Sequence, residues 1–181
     1  MDALSAKPDC CWSATAPRSD FQRLAGISEC DVVVVGAGIV GLSAALSLCE
    51  AGKAVMVLES REVGRQVTGR STAKITTQHG LIYRHLIDSV GRPLAQAYAD
   101  ANREALATIR HWVQSLGIDC DYQPQPAYAY ACSPEGRTAI EREAEAARSL
   151  GLTAQVLDKA PLPFATRAAL EFPDQAQFNP A

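Results

Sequence analysis

The feature that most constrains this chain is a run of four valines followed by three regularly spaced glycines. Val32–Val35 is a continuous apolar run that predicts a β-strand covered on both faces, as in a parallel sheet. Gly36, Gly38 and Gly41 follow it with the spacing G-x-G-x-x-G. The sequence therefore predicts a strand that turns sharply into a helix.

The residues after the glycines complete a crossover unit. A helix rich in small and apolar side chains is predicted from about Ile39 to Ala51, and Gly52 stands where a left-handed helix cap belongs. Val55–Leu58 predicts a second buried strand. Strand, helix and strand within a short stretch indicate a right-handed unit with parallel strands.

The glycines of this unit and the residues beside them have separate chemical roles. Gly36 permits the tight turn, Gly38 lets the backbone approach a pyrophosphate, and Gly41 lets the helix lie close to the strand. The free amides near Ile39 and the positive helix end then face the phosphates. Glu59, at the end of the second strand, is placed to accept hydrogen bonds from an adenosine ribose. The fingerprint predicts a dinucleotide site and leaves NAD and FAD open.

Composition excludes several other classes of function. The net charge is -3 and the lysines and arginines form no cluster, so we expect neither nucleic acid nor an anionic membrane surface as a partner. The six cysteines lack the paired spacings of a zinc or iron–sulfur site, which predicts no metal and reduced thiols in a cytoplasm. The uncharged stretch 32–49 approaches the length of a membrane span, but its valines and glycines favour the strand and turn.

The rest of the chain alternates helical and extended patterns. The N-terminal segment up to residue 29 has no clear period, and Trp12 is the candidate that anchors it. Helices are predicted at 81–90, 93–116 and 133–150, and extended segments at 122–132, 153–157 and 165–172. The pair Ser133-Pro134 opens the last of these helices as its cap and first turn.

One stretch of the chain resembles a known protein family. The stretch 31–83 is similar to the start of the FAD-dependent oxidoreductases of the D-amino-acid oxidase and glycine oxidase family. The specific part is the segment 68–74, Thr-Gly-Arg-Ser-Thr-Ala-Lys, followed by 78–83, Gln-His-Gly-Leu-Ile-Tyr. These two segments resemble a subgroup whose members often end in a Rieske iron–sulfur domain.

The resemblance implies further cofactor contacts after the second strand. On composition alone this stretch reads as a polar loop, and only the resemblance assigns it to the pyrophosphate and ribityl chain of FAD. The residues implied are Arg61, Thr68, Gly69, Arg70, Ser71 and Thr72. Lys74, Gln78 and His79 are implied near the flavin ring. The pair Arg65-Gln66 and Asn179 depart from the pattern of the subgroup.

These observations lead to a fold class and domain limits. We expect an α/β chain with a Rossmann-like FAD-binding domain whose parallel sheet is incomplete, followed by the start of a mixed α+β substrate domain. The predicted parts are an N-terminal extension at 1–29, the first part of the FAD-binding domain at 30–118, and a truncated substrate domain at 119–181. The chain is expected to be the N-terminal portion, or fragment, of a longer product.

The function expected from the resemblance is that of an FAD-dependent oxidoreductase of the amine or D-amino-acid oxidase type. A small amine-type substrate would pass hydride to the flavin, and a Rieske domain in the intact product is a possible electron acceptor. The sequence identifies no catalytic acid, base or nucleophile. An NAD-dependent dehydrogenase and a non-catalytic nucleotide-binding remnant stay open as alternatives.

Overall fold

The computed structural model of the chain describes residues 10–181, so the first nine residues of the predicted extension lie outside the described part. The described residues form two compact units. The first contains the described residues up to Ala73 together with Asn179–Ala181, and the second is Lys74–Phe178. The domain limits expected from the sequence stay a prediction.

The first unit contains the predicted crossover. Strand β1 (Val32–Val35) pairs in parallel with β2 (Val55–Leu58), with Val32 opposite Val55 and Val35 opposite Leu58. Helix α2 (Ile39–Glu50) joins them and packs on both strands. Gly52 adopts a φ of +78° just after the helix, as a left-handed cap requires. These elements confirm the predicted strand, helix and strand.

One expectation for β1 is wrong within this chain. The valine run predicts burial on both faces, but Val33 is 50% exposed and Val35 is 85% exposed. The cause is that this sheet has two strands and α2 packs on one of its faces. Alternate valines are therefore sheltered while the others face outward.

The first unit also holds a short N-terminal helix, α1 (Cys11–Thr15), and a 3-10 helix at Thr68–Arg70. The side chain of Trp12 donates a hydrogen bond from Nε1 to the carbonyl oxygen of Ser71 at 3.1 Å. Trp12 is thus the anchor that the sequence indicated.

The second unit is built on helices and antiparallel sheets. Its helices are α3 (Tyr83–Val90), α4 (Arg92–Ser115) and α5 (Pro134–Ser149). One sheet has the order β3-β8-β4, formed by Lys74–Ile75, Ala176–Gln177 and Gln123–Pro124. The other has the order β5-β7-β6, formed by Ala127–Ala131, Ala168–Phe172 and Gln155–Leu157. All neighbouring strands in these two sheets are antiparallel.

The core of the second unit lies where α3, α4 and α5 meet strand β7. Its largest fully buried side chains include Tyr83, Phe172, Ile140 and Leu170, and small alanines of α4 and α5 let the helices approach closely. Ser133 caps α5 by accepting a hydrogen bond from the amide of Gly136, as the Ser-Pro pair predicts.

A buried carboxylate joins two of these helices. Glu143 on α5 is 1% exposed, and its two oxygens accept hydrogen bonds from the amides of Tyr83 at 2.7 Å and Arg84 at 2.9 Å. These amides begin α3 and have no acceptor within that helix. Glu143 therefore supplies the cap that the first turn of α3 lacks in its own sequence.

We expect Glu143→Ala to lower the free energy of unfolding by about 2 kcal/mol or more, because it leaves two buried or half-buried amides without acceptors. Glu141→Ala on the same helix is the matched control, since Glu141 makes an exposed ion pair with Arg137. That control should change stability by less than about 1 kcal/mol. Urea unfolding followed by circular dichroism measures both, and equal effects would contradict the capping role.

Candidate functional site

The candidate site lies where β1 turns into α2. Gly36 follows the strand with a φ of +104°, a conformation that favours glycine, and its amide donates to the carbonyl of Leu58 at 2.7 Å. A Cβ placed on Gly41 would lie 1.9 Å from the carbonyl oxygen of Gly36 and 3.3 Å from a methyl of Val34. The helix therefore begins in direct contact with the end of the strand, and a side chain at position 41 does not fit.

The first turn of α2 presents amides without intrahelical acceptors. Its N-cap residue is Gly38, which has no side chain to satisfy them. The amide of Ile39 donates to the hydroxyl oxygen of Thr68 at 2.9 Å, and a Cβ on Gly38 would lie 3.3 Å from that oxygen. The N-terminal end of α2 thus already faces one oxygen acceptor, the hydroxyl of Thr68. The absence of a side chain at Gly38 keeps the approach to this helix end open.

Glu59 completes this side of the turn. One carboxylate oxygen accepts the amide of Ala37 at 2.9 Å, and the other accepts the amide of Arg61 at 2.9 Å. These backbone hydrogen bonds, that of Ala37 first, lower the pKa of Glu59 below its ordinary value of 4.5. The side chain is therefore an anion at neutral pH. The oxygen that accepts the Arg61 amide also accepts the Ser60 hydroxyl at 3.4 Å, whereas the oxygen that accepts the Ala37 amide retains a lone pair for a further donor such as a sugar hydroxyl.

The structure brings only some of the predicted residues to the turn. Thr68 reaches the helix end, and Gly69 is buried with its amide donating to the carbonyl of Gly64 at 2.6 Å. Arg61 is exposed and its guanidinium bonds the side-chain oxygen of Gln66 at 3.0 Å. The other three predicted residues follow on the exposed surface of the loop, and they are Arg70, Ser71 and Thr72.

A contact that the sequence did not indicate holds this loop against α1. Arg65 is 10% exposed at its side chain, and its guanidinium donates to the carbonyls of Ser13 and of Ala16, the latter at 2.8 Å. A cation at these last carbonyls satisfies acceptors that a helix end leaves open. The sequence marks Arg65 only as a departure from the pattern of the subgroup, because its hydrogen-bond partners lie about fifty residues away in the chain.

The residues implied near a flavin ring all belong to the second unit. Lys74 is exposed on β3, and Gln78 is buried. His79 is exposed, and its Nδ1 lies 2.9 Å from the hydroxyl of Tyr98, which also makes an edge-on ring contact with it.

The sequence profile of the DAO family, described as FAD dependent oxidoreductase, matches residues 31–181. The chain belongs to this family. FAD is therefore the dinucleotide that the family uses, which decides between the two cofactors that the glycine fingerprint left open. The glycine turn fits it, because the open helix end and the ionised Glu59 supply donors for phosphate and an acceptor for a sugar.

Relatives of this family member include proteins much longer than the chain. YhfW of Bacillus subtilis, whose name describes a Rieske 2Fe-2S iron-sulfur protein, is 34% identical over 173 residues, which is 96% of this chain and 34% of that protein. Gamma-glutamylputrescine oxidoreductase of Escherichia coli is 37% identical over 104 residues, covering 58% of this chain and 24% of that enzyme. The chain thus spans about a third or less of the length of these two relatives.

Solved structures support the fold assignment. The L-amino acid deaminase from Proteus vulgaris superposes with a TM-score of 0.68 at 18% identity, over 91% of this chain and 38% of that one. At this identity the likeness shows the fold of the family and nothing further. Among the helices of residues 10–181, none is both long and apolar enough to cross a bilayer.

We expect Gly41→Ala to lower the free energy of unfolding by about 2 kcal/mol or more, because the added methyl would overlap the carbonyl oxygen of Gly36 and push α2 off the strand. Ser47→Ala, on an exposed position of the same helix, is the matched control and should change stability by less than about 0.5 kcal/mol. Chemical unfolding measures both, and a tolerated Gly41→Ala would contradict the close approach.

The lowered pKa of Glu59 predicts a pH dependence. Its contribution to stability is complete at neutral pH, and it is lost as the pH falls below 4.5 and through the lower pKa of the folded state. The melting temperatures of the wild type and Glu59→Gln should differ at about pH 7 and converge at about pH 3. Glu29→Gln, at an exposed carboxylate, should follow the wild type at both ends, and a difference that persists in acid would refute the assignment.

Proposed function

We propose that this chain binds the ADP half of FAD at the glycine turn and forms part of an oxidoreductase that acts on amines or amino acids. The observation that carries the proposal is the contact between Gly41 and the carbonyl of Gly36, which sets an open helix end directly at the end of β1. Amides at such an end favour the oxygens of a pyrophosphate.

Each predicted site residue of the first unit has a separate role in this proposal. The amide of Gly38 and the other free amides in the first turn of α2 bind the pyrophosphate. The hydroxyl of Thr68, whose oxygen accepts the Ile39 amide, donates its hydrogen to the same phosphate oxygens. Glu59 accepts hydrogen bonds from the adenosine ribose, because its lowered pKa keeps it ionised. The polar loop contributes the remaining contacts through Arg61, Gly69, Arg70, Ser71 and Thr72, where an arginine can neutralise phosphate charge.

Support for the substrate class comes from the proteins that share this fold and family. Their names include an oxidoreductase for gamma-glutamylputrescine, an L-amino acid deaminase, a glycine oxidase and an L-proline dehydrogenase. All of these compounds carry an amine or amide nitrogen beside a carbon that can be oxidised. When bound, FAD supplies the two-electron redox chemistry, and the protein supplies binding, orientation and charge complementarity.

Two further parts of the proposal concern the intact product. The similarity to YhfW supports a Rieske domain as an electron-transfer partner. A cytoplasmic location is also part of the proposal, since no disulfide joins the cysteines of residues 10–181.

The proposal is tested by titrating the purified chain with FAD and following quenching of flavin fluorescence. We expect saturable FAD binding, and Thr68→Val should weaken it by about tenfold because the variant removes a hydroxyl beside the helix end. Thr138→Val, at an exposed helical position of the second unit, is the matched control and should leave the affinity unchanged. Circular dichroism shows that each variant is folded.

Two results would reject the proposed function. The first is a folded chain that binds NADH with saturation and does not bind FAD. The second is FAD binding that Thr68→Val and Thr138→Val leave equally unaffected, since the flavin would then bind away from the glycine turn.

A further inference from the structure

Loop 64–71 of the first unit is contacted by two separate elements. The hydroxyl oxygen of Thr68 in this loop accepts the amide of Ile39 at the N-terminal end of α2. The 3-10 helix of the loop packs against α1, which lies in segment 10–17. The loop therefore connects the proposed phosphate site to an N-terminal segment that lies outside the glycine turn.

Helix α1 depends on contacts outside itself. It has five residues, well below the roughly 12 that an isolated helix needs in water. Its buried residue is the polar Ser13, so α1 does not bury an apolar face. The carbonyl of Ser13 would accept the amide of residue 17 in a longer helix, but Pro17 has no amide hydrogen. The end of α1 thus has an acceptor that another part of the chain must satisfy.

Arg65 of loop 64–71 supplies the missing donors. Its guanidinium donates to the carbonyls of Ser13, Ala16 and Pro17, the last two at 2.8 and 3.2 Å. The side chain is 10% exposed, and its Nε lies 3.4 Å from a carboxylate oxygen of Glu62. A guanidinium presents five donor hydrogens in a rigid plane, so one side chain can serve several acceptors at once. Arg65 therefore fixes the loop relative to α1.

Two further hydrogen bonds join segment 10–17 to the same loop. The thiol of Cys10 donates to the carbonyl of Gly69, and Nε1 of Trp12 donates to the carbonyl of Ser71 at 3.1 Å. Together with the bonds of Arg65, they attach the loop to the segment both before and after Thr68.

Gly69 allows this close packing. A Cβ on Gly69 would lie 2.8 Å from the carbonyl oxygen of Gly64 and 3.2 Å from the hydroxyl oxygen of Ser13. The absence of a side chain at position 69 therefore lets the loop close on itself and lets α1 approach it.

Two of the residues that depart from the pattern of the subgroup contact segment 10–17. Arg65 bonds its carbonyls, and Asn179 donates from Nδ2 to the hydroxyl oxygen of Thr15 at 3.3 Å. The attachment of the segment is therefore built in part on side chains that the resemblance to the subgroup does not supply.

We propose that segment 10–17 is a clasp that holds loop 64–71 in its cofactor-binding conformation, with Arg65 as the positioning residue. The clasp keeps Thr68 at the N-terminal end of α2, so docking of the clasp and binding of the ADP half of FAD stabilise each other. This coupling rests on the proposed function, whereas the attachment of the loop by the clasp does not. Such a coupling is reciprocal, because each event must favour the other by the same factor.

The first test needs no cofactor and follows amide hydrogen exchange by NMR. Arg65→Met removes the donors, so it should speed exchange of the Gly69 amide, which bonds the carbonyl of Gly64, by about tenfold or more. The amide of Gly36, which bonds the neighbouring strand, should exchange as in the wild type. Arg23→Met removes an exposed arginine of the same unit and should change neither rate. An acceleration that Gly36 shares would mean that the whole unit opens, and it would overturn the local role of Arg65.

The second test reads the clasp itself. The indole N–H signal of Trp12 in the 15N-labelled chain is assigned by its loss in Trp12→Phe, and the chain is titrated with ADP. This probe contains the half of FAD that the glycine turn is proposed to bind, and it carries no flavin. We expect a saturable shift of the indole signal and exchange of its hydrogen that is slower by about threefold or more.

Flavin fluorescence gives the effect on the cofactor. Arg65→Met should weaken FAD binding by about tenfold, and Arg23→Met should bind FAD like the wild type. Arg65→Lys keeps a cation with three donor hydrogens, and it should restore the affinity to within about threefold of the wild type. Rescue by lysine separates positioning through the clasp carbonyls from a general loss of packing at position 65.

The remaining outcomes separate the clasp from the proposed function. Equal FAD affinities in the wild type and Arg65→Met overturn the clasp and leave the flavoprotein function standing. Weaker FAD binding in Arg65→Met, with a Trp12 signal that does not respond to ADP, assigns Arg65 to direct contact with the cofactor and also overturns the clasp. Faster exchange at Gly69 alone, in a chain that does not bind FAD, upholds the attachment of the loop and refutes both the coupling and the proposed function.

Discussion

The contact on which the candidate site depends is the approach of α2 to the end of β1. The carbonyl of Gly36 occupies the space where any side chain at position 41 would begin. This proximity places the first amides of the helix at the carboxyl end of the strand, and the same geometry brings Glu59, at the end of the neighbouring strand, to the amide of Ala37. The amides and the carboxylate to which the proposed function assigns phosphate and sugar are therefore organised by one packing constraint.

Around this turn, the first unit is secured by polar contacts more than by a large apolar core. Thr68 bonds the helix end, Glu59 bonds two backbone amides, and Arg65 ties α1 to the loop through carbonyl oxygens. The apolar surface of β1 is left partly uncovered, with Val35 85% exposed. An exposed strand of valines favours pairing with other chains. The exposed valines of β1 therefore favour aggregation of this chain in solution.

The second unit, in contrast, is stabilised by a large apolar core. Alanines on α4 and α5 allow close helix packing around Tyr83 and Phe172, and the buried carboxylate of Glu143 caps α3 from a neighbouring helix. Almost every buried polar side chain in this unit has a partner, as expected for a folded core. Gln78 is the exception among the described residues, since its Nε2 alone is both buried and unpaired.

The sequence by itself determined the local elements and the glycine turn between β1 and α2. The valine run, the glycine spacing and the Ser-Pro cap all act between residues that are close in the chain. Strands β1 and β2 and helices α2 and α5 therefore lie where these patterns predict them. Only the tertiary structure decided the partners of Arg65 and Glu143, the burial of Gln78, and the strands β3 and β8, which are two residues long and carry no periodicity. Their positions depend on contacts between residues far apart in the chain, and one sequence contains no record of such distances.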